Sequence, residues 1–152
     1  MAFGTSGVVR LAAVVIGLSV ISGETAAADP IEERQQAMKT IGRATTDLGK
    51  ILKGEMEFSG ETVAARAATI LENLSAAEQL FPEGSTSDDS RAKPEIWQDL
   101  DAFVAALNNA KEKAEAVQET GQANDEAAFR AAVAELGGAC KGCHDKFRKP
   151  ED

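Results

Sequence analysis

The stretch IWQDLDAFVAALNNAKEKAEAV, residues 96–117, decides the fold, because its apolar positions repeat in steps of four and three without a break. These positions are Ile96, Leu100, Phe103, Leu107, Ala110, Ala114 and Val117. A mean spacing of about 3.5 residues is typical of helices that pack side by side, knobs into holes. The stretch therefore predicts one long bundle helix that starts at Pro94 and ends near Thr120, with Gly121 as its stop.

Three further segments show helical periodicity, and signals for strands are nearly absent because Tyr is missing and Ala is abundant. The predicted helices run from Pro30 to Lys53, from Gly60 to Leu80 and from Asp125 to Lys149. Ser59 and Asn124 are the predicted N-caps of the second and the last of these segments. Since long helices with mostly short connections run antiparallel to their neighbours, we predict an all-α fold, an antiparallel up-down-up-down four-helix bundle.

Two details of the bundle can be predicted at the level of residues. The expected core stripe of the first helix consists of Ile31, Met38, Ile41, Thr45, Leu48 and Leu52. The polar segment 85–93, between the second and third helices, carries turn-forming residues and is expected to be a mobile loop.

The N-terminal 28 residues have the pattern of a secretory signal. Arg10 precedes the apolar run LAAVVIGLSVI, residues 11–21, and small residues at Ala26 and Ala28 provide a cleavage site. The run is shorter than the roughly 20 apolar residues that a membrane-spanning helix needs. We therefore predict a signal peptide at residues 1–28 and one mature domain at residues 29–152, without a membrane span after cleavage. An uncleaved N-terminal anchor is the alternative.

The net charge of the chain limits the kinds of partner that it can bind. The chain has 25 Asp and Glu against 16 Lys and Arg, a net charge of −9. This excess of acid argues against nucleic-acid binding, which needs a basic face. The sequence shows no second histidine, no nucleophile beside a base and no phosphate-binding glycine loop, so we do not expect an enzyme.

The chemistry is concentrated in Cys140-Lys141-Gly142-Cys143-His144. This Cys-x-x-Cys-His pattern is the attachment signature of a c-type haem, and it contains the only two cysteines and the only histidine of the chain. On a helix, Cys140 lies one turn before Cys143 and His144, so all three side chains can share one face. We predict one covalent haem c, bound through both cysteines, with His144 as the proximal iron ligand.

Three other readings of the cysteines compete with haem attachment. A thioredoxin-like redox disulfide belongs to an alternating β/α pattern, which the chain lacks. A structural zinc site needs four ligands, and only Cys140, Cys143 and His144 are at hand. A stapling disulfide would explain both cysteines but would leave the adjacent histidine unexplained.

At this point the sequence resembles a known family, the class II c-type cytochromes called cytochromes c′, including the low-spin cytochrome c-556 branch. The similarity covers the whole mature chain and rests on five pieces of sequence. These are Arg34-x-x-x-Met38-Lys39, Gly54-Glu55, Phe81-Pro82-x-Gly84, Lys93-Pro94-Glu95-Ile96-Trp97 and Gly137-Gly138-x-Cys140-Lys141-x-Cys143-His144-Asp145-x-Phe147-Arg148.

The resemblance implies a four-helix bundle with its haem near one end, in the periplasm of a Gram-negative bacterium. It places Arg34 near the haem propionates and Arg148 beside the proximal histidine. It also implies two candidate functions. The c-556 branch binds a methionine to iron and carries single electrons, whereas cytochromes c′ proper are usually five-coordinate and bind gases such as NO.

Met38 is the candidate sixth ligand. In an antiparallel bundle the start of the first helix lies beside the end of the last, so Met38 and His144 lie at similar depths. Met56 follows 18 residues later, about 27 Å further along a helix, and is too far away. Met38 also occupies the family position that faces the open side of the haem. We therefore predict a one-electron carrier, with a gas-binding, five-coordinate haem as the alternative.

Four cations cluster around the attachment motif in this otherwise acidic chain. Lys141, Lys146, Arg148 and Lys149 are interrupted by a single acid, Asp145. We expect this cluster to dock a redox partner protein, although cations also favour a helix C-terminus for purely structural reasons. The sequence leaves the oligomeric state open, a homodimer included.

Overall fold

The computed structural model of the chain describes Met1 and residues 29–150. Its helices are α1 (Pro30–Leu52), α2 (Gly60–Ala77), the short α3 (Glu95–Gln98), α4 (Leu100–Gln122) and α5 (Glu126–Phe147), with a 3₁₀ turn at Glu78–Leu80. The four long helices confirm the predicted all-α bundle. The rest of the predicted signal, residues 2–28, lies outside the described residues.

The helices pack in the order in which they follow one another. α1 packs on α2, α2 on α4 and α4 on α5, whereas α1 and α5 contact each other only sparsely. The bundle is therefore tight on three sides and loosely closed along the seam between α1 and α5. None of the described helices is long and apolar enough to cross a membrane.

Side chains cap the beginning of each long helix. Ser59 accepts a hydrogen bond from Thr62 N at 3.3 Å, which confirms it as the N-cap of α2. The predicted cap of the last helix was one residue early, because Asp125 accepts the bond from Ala128 N. Asn124 instead adopts a φ of 52° and accepts a hydrogen bond from Gly60 N, which ties the α4–α5 turn to the start of α2.

The predicted third helix is interrupted. Asp99 leaves the helical conformation, at φ −141° and ψ 67°, and its carboxylate caps α4 through Ala102 N at 3.1 Å. The chain therefore forms the separate turn α3 before α4 begins. This break turns Leu100 outward, and it is 52% exposed although the periodicity predicted a core position.

The core face of α1 is rotated relative to the predicted stripe. Its buried residues are Arg34, Ala37, Ile41, Ala44, Leu48 and Ile51. Two of these positions are alanines. The predicted stripe favoured larger apolar residues, and it therefore selected a neighbouring face of α1. Ile31, Met38, Thr45 and Leu52 are half-buried and form a flank of α1 beside the core.

Gly121 does not stop α4, which continues to Gln122. It is buried where α4 crosses the beginning of α2, and a Cβ at this position would lie 2.5 Å from Ala64 N and 2.7 Å from Gly60 O. The glycine therefore permits the close approach of two helix backbones.

Candidate haem site

The motif lies in the last two turns of α5. Cys140, Cys143 and His144 are all half-buried, and the two cysteines pack against the edge of the hydrophobic core. Both thiols are free, so no disulfide joins them. The predicted sharing of a helix by all three residues is confirmed.

The surroundings hold these three groups in their neutral forms. Burial raises the pKa of the Cys140 thiol, and burial with the neighbouring Cys140 raises that of Cys143. Burial lowers the pKa of His144, and the positive charges of Arg148 and Arg91 lower it further, against a smaller opposing effect of Asp145. At neutral pH the site therefore offers two protonated thiols and an imidazole with a free lone pair.

The loop expected to be mobile instead fixes the end of α5. Lys93 donates from its backbone N to Phe147 O at 3.0 Å and from Nζ to Asp145 O at 2.9 Å. Lys149 N donates to Arg91 O at 2.8 Å, beside an antiparallel bridge between residues 92 and 148. These bonds satisfy carbonyl groups that a helix end leaves without partners, and they hold the turn that carries His144.

Arg34 anchors the same loop from the side of α1. Its guanidinium is buried, donates to Leu80 O, to both oxygens of Ser85 and to Ser90 Oγ, and lies 4.8 Å from the centre of the Phe81 ring. Burial lowers the pKa of Arg34, an effect that Asp29 partly offsets. These hydrogen bonds direct the Arg34 guanidinium at the segment that contains Leu80, Ser85 and Ser90. The contact between Arg34 and the haem propionates, which the resemblance implies, stays a prediction.

The loop brings the start of α1 and the end of α5 to the same end of the bundle. Ser90 accepts a hydrogen bond from Arg34 at Oγ, at 2.8 Å, and one from Lys149 Nζ at its carbonyl oxygen, at 3.3 Å. Met38 lies four residues after Arg34 and His144 four residues before Arg148, about 6 Å into the bundle in each case. The connection through Ser90 is consistent with the predicted similar depths of Met38 and His144.

Met56 lies past the opposite end of α1. Its backbone N donates to Lys50 O in the turn that follows the helix, and the side chain packs at the edge of the core. This position is consistent with its exclusion as an iron ligand.

An aromatic cluster that the sequence analysis did not identify lies beneath this end of the bundle. Phe103 contacts Phe81 edge-on at a ring-centre distance of 4.7 Å and Phe147 at 5.3 Å. Trp97 packs on Phe81 and donates from Nε1 to Pro82 O at 3.0 Å. In the sequence, the Phe-Pro pair at 81–82 and the tryptophan were the signals from which this cluster could have been predicted. The cluster supports the final turn of α5 with rigid apolar surface.

A cleft of about 310 Å³ opens beside His144, and four cations line it. They are Arg91, Lys93, Arg148 and Lys149, and we call this feature the basic cleft. The sequence identified Arg148 and Lys149. It missed Arg91 and Lys93 because they are remote along the chain and arrive only when the loop folds against α5.

The other two predicted docking cations are offset by acids. Lys141 pairs with Asp145 one turn later, and Lys146 pairs with Asp99 at 3.3 Å. The pKa of Asp145 is lowered, first by its hydrogen bond with Lys141. The predicted cluster of four is thus divided into two paired lysines and two residues of the basic cleft.

The residues present fit a c-type haem. Two free thiols and a neutral imidazole are the donors that such a haem uses, and the thiols pack at the edge of the core. A Cβ at Gly137 or Gly142, on either side of Cys140, would meet no atom within 4 Å, so surface beside the motif is clear. Within the described range no group of three or more His, Cys, Asp or Glu could hold a metal ion.

A four-helix bundle with Cys-x-x-Cys-His on its last helix defines a class II c-type cytochrome, a haem protein of electron transport. The family model described as Cytochrome C′ matches residues 29–148. The chain belongs to the cytochrome c′ family.

Individual relatives agree with this assignment. The chain is 37% identical over 122 residues to a cytochrome c′ of Pararhodospirillum photometricum, covering 78% of this chain and 95% of the relative. It is 35% identical over 127 residues to a cytochrome c-556 of Agrobacterium fabrum, covering 84% and 86%. Its fold is similar to the crystal structure of cytochrome c′ from Rubrivivax gelatinosus, with a TM-score of 0.74, 32% identity and coverage of 80% and 95%.

Proposed function

We propose that the protein is a periplasmic one-electron carrier with one haem c, attached through Cys140 and Cys143 and ligated by His144 and Met38. The observation that carries the proposal is the connection of the start of α1 to the end of α5 through Ser90, beside a sparse α1–α5 contact, which supports similar depths for Met38 and His144. Export rests on the signal pattern of residues 1–28.

Covalent attachment uses the two thiols. Cys140 and Cys143 would hold the haem as thioethers: each S–H would add across one vinyl C=C, with sulfur bonding to one vinyl carbon and the thiol hydrogen going to the other. Cys140 and Cys143, one helical turn apart, are placed to reach neighbouring substituents on one edge of the ring. Their raised pKa values keep the hydrogen on sulfur until that reaction.

The haem iron supplies the change between Fe(II) and Fe(III). His144 and Met38 are uncharged donors, and a ligand pair that stays the same in both oxidation states suits rapid electron transfer. Met38 belongs to the half-buried flank of α1, and Leu52 at the end of that flank accepts a hydrogen bond from Arg130 of α5 at 3.2 Å. This bond ends on the backbone carbonyl of Leu52 and joins the end of α1 to α5.

The gas-binding alternative depends on the same residue. Curated relatives include both cytochromes c′ and cytochromes c-556. If Met38 only covers the iron, the sixth position is open to small ligands and the protein is a gas-binding cytochrome c′. The carrier is our choice because Met38 lies at the depth of His144 and is already half-buried there.

Extraction of the purified holoprotein with acid acetone tests the attachment. We expect the haem to stay with the protein in the wild type and in the single variants Cys140→Ala and Cys143→Ala, each of which keeps one thioether. The double variant should release all of its haem. Release from the wild type would disprove covalent attachment, and a featureless visible spectrum would favour a haem-free bundle.

A further inference from the structure

The basic cleft concentrates positive charge in an acidic protein. Four cations line a single concavity beside His144, while the whole chain carries a net charge of −9. A cleft with one sign of charge focuses the electric field and raises the local concentration of oppositely charged partners. The feature therefore differs from an even scatter of surface lysines.

The hydrogen bonds of the cleft lysines end on neutral acceptors. Lys93 Nζ donates to Asp145 O, and Lys149 Nζ donates to Ser90 O; both acceptors are neutral carbonyl oxygens. These bonds fix the positions of the ammonium groups without neutralising them. By contrast, Lys146 outside the cleft faces the carboxylate of Asp99, which offsets its charge.

The backbone holds the remaining cleft cations in place. Arg148 N donates to His144 O at 2.9 Å, and residue 148 forms an antiparallel bridge with Ala92. Arg91 Nε donates to Lys149 O at 3.2 Å. Among the residues that the structure describes, Asp145 is the acid that lines the cleft, and it is paired with Lys141. Little conformational order has to be created when an anion binds, which favours affinity.

We propose that the basic cleft is the docking site for an acidic redox partner, and that a carboxylate group of the partner enters the cleft beside His144. The inference rests on the proposed carrier function and narrows the predicted docking cluster to Arg91, Lys93, Arg148 and Lys149. Arginine adds paired hydrogen bonds to a carboxylate, which gives the contact a defined geometry.

The cleft places the partner close to the iron ligand. His144 lines the cleft and is the proposed proximal ligand, so a partner bound there lies next to the haem. One electron passes from the ferrous iron to the oxidised partner, which leaves ferric iron and a reduced partner, and no proton transfer is required. Lysines and arginines at such a contact act mainly on the rate of encounter.

Small oxidants of opposite charge test the cleft directly on the holoprotein. Stopped-flow oxidation of the ferrous protein would be followed with anionic hexacyanoferrate(III) and with cationic tris(phenanthroline)cobalt(III). The variant is the double charge reversal Arg148→Glu/Lys149→Glu. Its matched control is Lys50→Glu/Lys53→Glu at the far end of α1, which changes the net charge by the same amount.

We expect the cleft variant to slow oxidation by hexacyanoferrate on the order of tenfold at low ionic strength and to accelerate oxidation by the cobalt complex. The control should change either rate by less than about twofold at about 0.1 M salt, where the screening length is about 10 Å and roughly 24 Å of helix separates Lys50 from Arg34 at the cleft end of α1. The cleft effect should largely disappear in about 1 M salt, where that length falls to about 3 Å. Equal slowing in both variants, or none in either, would overturn the proposal.

A single substitution separates the cleft from the wider cluster. Lys149→Glu should slow the anionic oxidant several times more than Lys146→Glu, whose charge Asp99 already offsets. Equal slowing would mean that the whole cluster steers the partner and that the cleft has no special role. The ferric spectrum of each sample reports the sixth ligand independently, so a failure of the carrier proposal and a failure of the cleft proposal give different signals.

Discussion

Arg34 Nη2 donates a hydrogen bond to Ser90 Oγ across 2.8 Å, and the two residues are 56 positions apart in the chain. Ser90 also accepts a bond from Lys149, so one loop residue connects the first turns of α1 with the end of α5. The same two helices present Met38 and His144. The loop therefore helps to set the separation of the two proposed iron ligands.

Removal of the Arg34 side chain should destabilise the protein strongly. Arg34→Ala removes the donor from part-buried acceptors on Leu80 and Ser85 and from the buried Ser90, which we expect to cost about 3 kcal/mol of unfolding free energy. Arg34→Lys keeps the charge but cannot match the fork of donors, so it should recover only part of the loss. Urea unfolding of the holoprotein measures both changes.

Gln35→Ala is the matched control for Arg34, because Gln35 also bonds this loop, through Asp89 O at 3.0 Å, but in an exposed position. We expect it to cost less than about 1 kcal/mol. An Arg34→Ala variant as stable as the Gln35 control would show that the loop is not anchored by Arg34.

Gly121→Ala should be damaging although alanine favours helices in general. The new Cβ would press on Ala64 N and Gly60 O, and relieving these contacts requires the backbones of α2 and α4 to separate, at a cost of about 2 kcal/mol or more. Gly49→Ala is the control, since its Cβ would meet nothing within 4 Å. It should stabilise the protein by roughly 0.5 to 1 kcal/mol. Thermal unfolding compares the two, and similar effects would refute the close approach at Gly121.

Acid stability should depend on Asp99. Its pKa lies below the ordinary value of 3.8, first because Ala102 N donates to it and then because Lys146 does. A carboxyl whose pKa is lower in the folded state stabilises the protein above its unfolded pKa, and this contribution disappears as the pH falls through the folded pKa. Asp99→Asn keeps the cap but does not titrate, so its stability should fall less steeply below about pH 4.

Denaturation at stepped pH measures this slope, and Asp101→Asn, which removes a neighbouring carboxylate of the same helical turn, is the control. If the acid limb of Asp99→Asn has the same slope as that of the wild type, Asp99 does not contribute to acid sensitivity.

Local signals in the sequence located the chemistry and most of the helices. The motif at 140–144 places its own cysteines and histidine on one helix face, and Ser59 marks a helix start through its own side chain, so both could be identified without tertiary information. The depth of Met38 relative to His144 can also be estimated from the sequence, because antiparallel topology and a constant rise per residue suffice, and it stays a prediction.

Features that depend on contacts between distant segments could not be predicted. The helical periodicity of apolar residues continues without a break on both sides of Asp99. Only the structure, in which Asp99 caps α4, shows that the helix is interrupted there. The rotation of the α1 core face brings small residues such as Ala44 into the core, and their burial depends on how α1 packs in the bundle. Arg91 and Lys93 join the basic cleft only because the loop bonds to the end of α5.

The ferric absorption spectrum of the purified protein tests the ligation by Met38 most directly. A methionine sulfur bound to ferric iron gives a weak charge-transfer band at the red end of the visible range. We predict this band in the wild type and its loss in Met38→Ala, with a low-spin spectrum and slow CO binding to ferrous iron only while Met38 is present. A wild-type spectrum without the band, together with rapid CO binding, would contradict the carrier and identify a five-coordinate, gas-binding haem.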